Sequence, residues 1–244
     1  MGLAVWLGLL RSLVIYHNPV RTGPLRRFYN DLLQTGDLVF DVGAHVGTRA
    51  RAMRAAGARV VALEPQAPFS SFLRLTLPRD IRLVEAAAGG SETVADMAVS
   101  SLHPTVSSLK TGFATEAGAA PGFGHVRWDR SQKVRVTTLD RLIAEEGIPR
   151  YIKIDVEGFE LEVLSGLSQP VEMISVEYLP GLPALTLSVI DRLAELGAYR
   201  FNPVLGESGQ FTWSAWRDPE AIKDWLAGLP ADAPSGDLYA RLSG

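Results

Sequence analysis

The sequence predicts an α/β protein with a mainly parallel sheet and helices on both faces. From residue 37 onward, short apolar runs alternate with stretches of helical period. The first run ends in a glycine-bearing turn, "DVGAHVG" (41–47), that opens into a helix. A later run, "YIKIDVEGFE" (151–160), reads as an interior strand yet ends in two acids and a glycine. Composition fits such a domain: 244 residues, 47% hydrophobic, 21% charged and a net charge of −3. That charge gives no global attraction to nucleic acid, and no dense basic stripe appears. The absence of cysteine excludes disulfides, thiolate metal sites and a cysteine nucleophile.

The elements follow in order. "DLVFDVG" is the first strand and "TRARAMRAAG" a helix closed by Gly57. "ARVVALEP" is the second strand, stopped by Pro65, "SSFLRLTL" a helix and "IRLVEAAAG" the third strand. "TVADMAVS" and "KVRVTTLD" read as extra strands, and "LDRLIAEE" puts Leu139, Leu142 and Ile143 on one helical face. "YIKIDVE" is a strand, "FELEVLSGL" a helix and "VEMISVEYL" a strand. Ala184 to Leu196 is helical, and "YRFNPV" with "QFTWSAW" is expected to form a closing antiparallel pair. "DPEAIKDWLAGL" is the last helix, capped by Asp218 with Pro219 in its first turn. Residues 37–244 are thus read as one domain, with 100–132 an aperiodic loop or lid.

Residues 1–36 form a separate helical segment. Its opening ten residues carry no charge but fall short of the roughly 20 apolar residues a spanning helix needs. They lack the basic start and cleavage site of a signal peptide. Packing on the domain, an oligomer contact and a membrane-surface helix over residues 1–20 remain the alternatives. The expected localisation is cytoplasmic, with peripheral membrane association left open.

A dinucleotide fingerprint would place glycine where Asp41 stands. A carboxylate repels a pyrophosphate and attracts a cation. S-adenosylmethionine carries an ammonium and a sulfonium and no phosphate. Glu64, at the end of the second strand, can accept both hydroxyls of a ribose, a contact that does not separate this cofactor from NAD. The expected cofactor contacts are Asp41, the turn residues Gly43, Ala44, His45 and Gly47, then Glu64 with Pro65, Ala87 and Asp155. Asp155, Glu157 and Lys153 are the expected catalytic group, with Lys153 paired to Asp155 and Glu157 as a candidate base. His45, His103 and His125 are rival bases, because imidazole titrates in the useful range. No metal is predicted.

The segments "VFDVGAHVG", "VVALEPQ", "TTLDRLI" and "YIKIDVEGFELEVLSGL" resemble, in order and spacing, the FkbM-type S-adenosylmethionine-dependent methyltransferases. The resemblance covers roughly residues 37 to 180 and is most specific in "KIDVEG-x-E-x-x-V-L-x-G". It implies a class I, Rossmann-like methyltransferase fold and methyl transfer to a hydroxyl oxygen, often of a sugar. His45 departs from the asparagine usual in that turn. An NAD-dependent oxidoreductase and a non-catalytic cofactor-binding assembly partner are the alternatives. The partners expected are a small-molecule or glycan hydroxyl acceptor and no nucleic acid, with a homo-oligomer left open.

Overall fold

The computed structural model describes residues 3–16, 19–102, 107–109, 126–206 and 208–243. Its main sheet has seven strands in the order β3-β2-β1-β7-β8-β10-β9. In chain order these are β1 (Leu38–Val42), β2 (Arg59–Leu63), β3 (Arg82–Val84), β7 (Tyr151–Ile154), β8 (Met173–Tyr178), β9 (Tyr199–Leu205) and β10 (Gly236–Leu242). β10 runs against β8 and β9, and the other ladders are parallel. A second sheet, in the order β4-β6-β5, joins β4 (Ala87–Ala88), β5 (Thr93–Val99) and β6 (Arg130–Thr137).

Alternation along the central strands feeds two cores. Phe40, Val42, Ile152 and Ile154 face α5 (Leu139–Glu146), α6 (Glu160–Ser165), α7 (Pro183–Leu196) and α8 (Pro219–Ala227). Val39 and Tyr151 face α2 (Pro19–Leu32), α3 (Thr48–Ala55) and Leu73 of α4 (Phe69–Thr76). With both faces covered, every residue of β1 and β7 is buried. The polar side chains on the second face therefore need partners inside the protein. Tyr151 meets this with Ser175 Oγ at 2.6 Å and by donating to Tyr239 Oη at 3.3 Å.

Two expectations are corrected. The third strand breaks in two: β3 continues the main sheet, and the chain then crosses so that β4 pairs with β6. The closing antiparallel pair is β9 with β10, not "YRFNPV" with "QFTWSAW". The latter segment touches β9 only through the isolated bridges Phe201 to Arg217 and Val204 to Phe211. Pro203 has no N–H to donate, so a continuous ladder along that edge fails. Asn202 instead holds the segment through its side chain, donating to Trp213 O at 2.7 Å and accepting from Trp213 N at 3.1 Å. The strand that was missed, "GDLYARL", alternates Asp237, Tyr239 and Arg241 with Leu238, Ala240 and Leu242 and is buried from Gly236 to Ala240.

Asp218 caps α8 as expected, accepting from the Ala221 amide at 2.9 Å. At the other end of the chain, α1 (Leu3–Tyr16) packs Leu9 against Val46 and Phe69 and leaves Leu10 and Val14 exposed. α2 contributes Phe28 and Tyr29 to the core, and Leu33 just after it adds a third side chain. Among the described residues no helix is long and apolar enough to cross a membrane. Of the 100–132 region, residues 107–109 lie along β5, where Ala98 and Ser108 exchange backbone hydrogen bonds at 2.9 and 3.1 Å. β6 begins at Arg130, inside the expected loop.

Candidate active site

β1 and β7 lie side by side while the chain continues outward from them in opposite directions, to β2 and to β8. A crevice opens beyond the carboxyl ends of two such strands. Here it is a cavity of about 300 Å³. Asp41, Gly43, Ala44, His45, Glu64, Pro65, Ala87, Asp155 and Glu157 all line it, which is most of the residues expected from the sequence. Gly47 and Lys153 stand behind the wall.

The turn after β1 is held from three sides. The Gly43 and Ala44 amides donate to Leu63 O at 3.1 and 2.8 Å, and the Asp155 amide donates to Val42 O at 3.0 Å. Gly43 has φ +85°, and a Cβ there would run into the Asp155 carbonyl. Only glycine meets both constraints. His45, at φ 51°, turns its amide to Glu64 Oε2 at 2.8 Å and lays its ring 4.3 Å from that of Phe69. Gly47, at φ 76°, begins α3, where a Cβ would meet Arg51 and Leu73.

Three acids belong to this turn and its neighbours. Asp41 is buried, and its Oδ2 has no hydrogen-bond partner among the described residues. Burial raises its pKa to about 6, against the attraction of Lys153 and Arg49. Glu64 accepts the amides of His45 and Gln66, both at 2.8 Å. Burial nevertheless pushes it up to about 8, with Asp41 and Asp155 adding repulsion. Asp155 behaves differently. Burial would raise it, but Lys153 and Arg49 hold it below its ordinary value.

The lysine buried in β7 is thereby explained. Its Nζ lies 3.0 Å from Asp155 Oδ2 and 3.4 Å from Asp237 Oδ1, and Asp237 Oδ2 lies 3.3 Å from Arg49 Nη2. Burial favours the neutral amine, but the two carboxylates outweigh it and raise its pKa. The sequence reading missed Asp237 and Arg49. It also missed Glu177, at the end of β8, whose carboxylate shares one space with those of Asp155 and Glu157. Asp237 and Glu177 are register partners across β10 and β8, a pairing that follows from strand order and carries no local signal. The 155–158 turn is fixed by Glu160, whose Oε1 accepts from Val156 N at 3.3 Å and Gly158 N at 3.2 Å. Ser107 and Leu109 also reach the cavity wall. His103 and His125 lie outside the described residues.

Comparison with known proteins agrees with this architecture. The hexuronic acid methyltransferase AglP of Haloferax volcanii is 32% identical over 141 residues, covering 57% of this chain and 53% of that protein. The chain thus spans about half the length of the curated relative it matches. A TehB-like S-adenosylmethionine-dependent methyltransferase from Corynebacterium glutamicum superposes with a TM-score of 0.50 at 8% identity, over 96% of this chain and 94% of the other. That likeness fixes the class I methyltransferase fold. The family model for the methyltransferase FkbM domain matches residues 41–227, from the acid that ends β1 to the last residue of α8. The chain belongs to the FkbM methyltransferase family, whose cofactor is S-adenosyl-L-methionine.

Proposed function

We propose that the protein is an O-methyltransferase acting on a hydroxyl of a sugar, in a glycan or a glycosylated metabolite. The observation that carries this reading is the convergence of Asp41, Glu64 and Asp155 on one cavity beside the close backbone approach at Gly43. The cavity fits the family's cofactor chemically. Asp41 Oδ2 is a buried acceptor in need of a donor, and the backbone turn at Gly43 lies directly against the Asp155 carbonyl beside it. Asp41 and Asp155 would hold the ammonium end. Each Glu64 oxygen, engaged by one amide, keeps a lone pair for a ribose hydroxyl. Gly43, Ala44, His45 and Gly47 would shape the turn around it, with Pro65 and Ala87 completing the wall.

When bound, the cofactor supplies a methyl group on a positively charged sulfur that needs no acid to leave. The protein's share is to orient the acceptor, exclude water and receive the hydroxyl proton. Lys153 keeps Asp155 ionised and fixed from behind the wall. Asp155 and Glu157 face the space left for the acceptor. A carbohydrate acceptor is supported by the related hexuronic acid methyltransferase.

Calorimetry with S-adenosylhomocysteine tests the cofactor site. Wild-type protein is expected to bind, and Glu64→Ala to bind at least tenfold more weakly. No binding to the wild-type protein would end the reading. A panel of glycans incubated with labelled S-adenosylmethionine, read by mass spectrometry, tests the acceptor class.

A further inference from the structure

One acid at the cavity has no part in the roles assigned above. Glu177 ends β8, one strand beyond β7, and its side chain lines the cavity. Its carboxylate and those of Asp155 and Glu157 each place an oxygen within 4.8 Å of the other two. Glu177 Oε2 is sealed from solvent and has no hydrogen-bond partner among the described residues. A buried acceptor left unpaired is costly, and a ligand that brings a donor relieves it. Resting on the reading of the site as one for O-methyl transfer, we propose that Glu177 is the general base that takes the proton of the acceptor hydroxyl. Glu157 is its carboxyl partner, and the pair selects hydroxyl over carboxylate acceptors.

Three carboxylates this close do not all ionise together. Asp155 is the one fixed in its charged form, because Lys153 sits 3.0 Å away. Burial pushes Glu177 well above the usual carboxylate range, and Asp155, Glu160 and Asp237 push it further against the opposing pull of Lys153. Burial acts on Glu157 in the same way, with Glu177, Asp155 and Glu160 adding to it and Lys153 opposing. Burial and the neighbouring carboxylates thus favour the protonated form of both glutamates, which titrate as a pair. The member left ionised is a far stronger base than an ordinary carboxylate.

The proton balance is simple. The hydroxyl oxygen gains the methyl carbon as its O–H bond breaks and the proton passes to the Glu177 carboxylate. The electron pair of the S–C bond stays on sulfur, which becomes neutral. An acceptor carboxylate has no proton to give and would bring a further negative charge to this end of the cavity. Such an acceptor is disfavoured even though the curated relative is named for a hexuronic acid.

The test uses the whole chain with Glu177→Gln and Glu157→Gln. Infrared titration of the carboxyl groups in the unliganded protein is expected to show, besides Glu64 at about 8 and Glu160 at about 7, a further group protonated well above the ordinary range. That signal should disappear in Glu177→Gln and move to lower pH in Glu157→Gln, where the neighbouring charge is gone. Turnover on neutral methyl glycosides should fall about 10²–10⁴-fold in Glu177→Gln with loss of the rising limb of the pH profile. Affinity for S-adenosylhomocysteine should stay within threefold of wild type, and the matching uronic acids should not be methylated at their carboxyl groups.

A carboxyl titration in Glu177→Gln identical to that of wild type, or a wild type with no such group beyond Glu64 and Glu160, overturns the proposal. So does turnover above a tenth of wild type with the pH limb intact. Calorimetric binding of Mg²⁺ or Mn²⁺ that Glu177→Gln abolishes would instead make the trio a cation site. Where no glycoside in the panel is methylated, the titration decides alone. Failure of the wild-type protein to bind S-adenosylhomocysteine is the distinct result that removes the parent reading.

Discussion

Replacing Asp41 by Asn separates what the first turn does for folding from what it does for binding. Asp41 is 1% exposed, the Ala50 amide donates to its carboxylate, and Oδ2 is unpartnered among the described residues. Burial raises its pKa from 3.8 to about 6 despite Lys153 and Arg49 nearby. At 1.36 kcal/mol per pH unit, the unliganded protein carries about 3 kcal/mol of ionisation strain at neutral pH. The folded form binds this proton more tightly than the unfolded form. Stability is therefore lost as pH rises from the unfolded value, and the loss is complete above about 6. Asparagine keeps an acceptor for Ala50 and cannot ionise. Urea denaturation at pH 7.5 should find Asp41→Asn more stable than wild type by up to about 3 kcal/mol, the gain vanishing near pH 4. Calorimetry at pH 7.5 should find S-adenosylhomocysteine bound at least tenfold more weakly, the scale of one charge-assisted hydrogen bond. A variant no more stable than wild type at any pH would refute the strained carboxylate. Unchanged affinity would remove Asp41 from the cofactor site. Stability given up at a binding position is the pattern expected of a functional residue.

In wild-type protein, affinity for S-adenosylhomocysteine should fall as pH drops below about 6, because Asp41 then holds a proton that binding must displace; a flat profile from pH 5 to 7.5 by calorimetry would contradict this. Gly43→Ala should abolish cofactor binding and lower the melting temperature, since the new Cβ meets the Asp155 carbonyl at a φ of +85°; wild-type affinity would show that the turn relaxes. Lys153→Met should destabilise by about 3–5 kcal/mol in urea titration by stranding Asp155 and leaving Asp237 with Arg49 alone. Adding Asp237→Asn should recover part of that loss, and strict additivity would break the coupling argued here.

The sequence by itself determined most of the strands and helices from residue 37, though not β10, together with the turn at 41–47 and the acids that β1, β2 and β7 carry to their ends. Each is written locally: a two-residue alternation, a glycine required by a left-handed turn, a proline that stops a strand. It also exposed Lys153 as anomalous, because an ammonium on an interior strand demands a partner, and Asp155 two residues on supplied one. The tertiary structure alone decided the second partner. Asp237 reaches Lys153 because β10 inserts between β8 and β9, a crossing that unites residues 84 positions apart. The same insertion puts Asp237 beside Glu177, and both line the cavity. Strand order is a property of how both faces of the sheet are covered, and the alternation of β10, with Asp237, Tyr239 and Arg241 against Leu238 and Ala240, marks a strand without naming its neighbours.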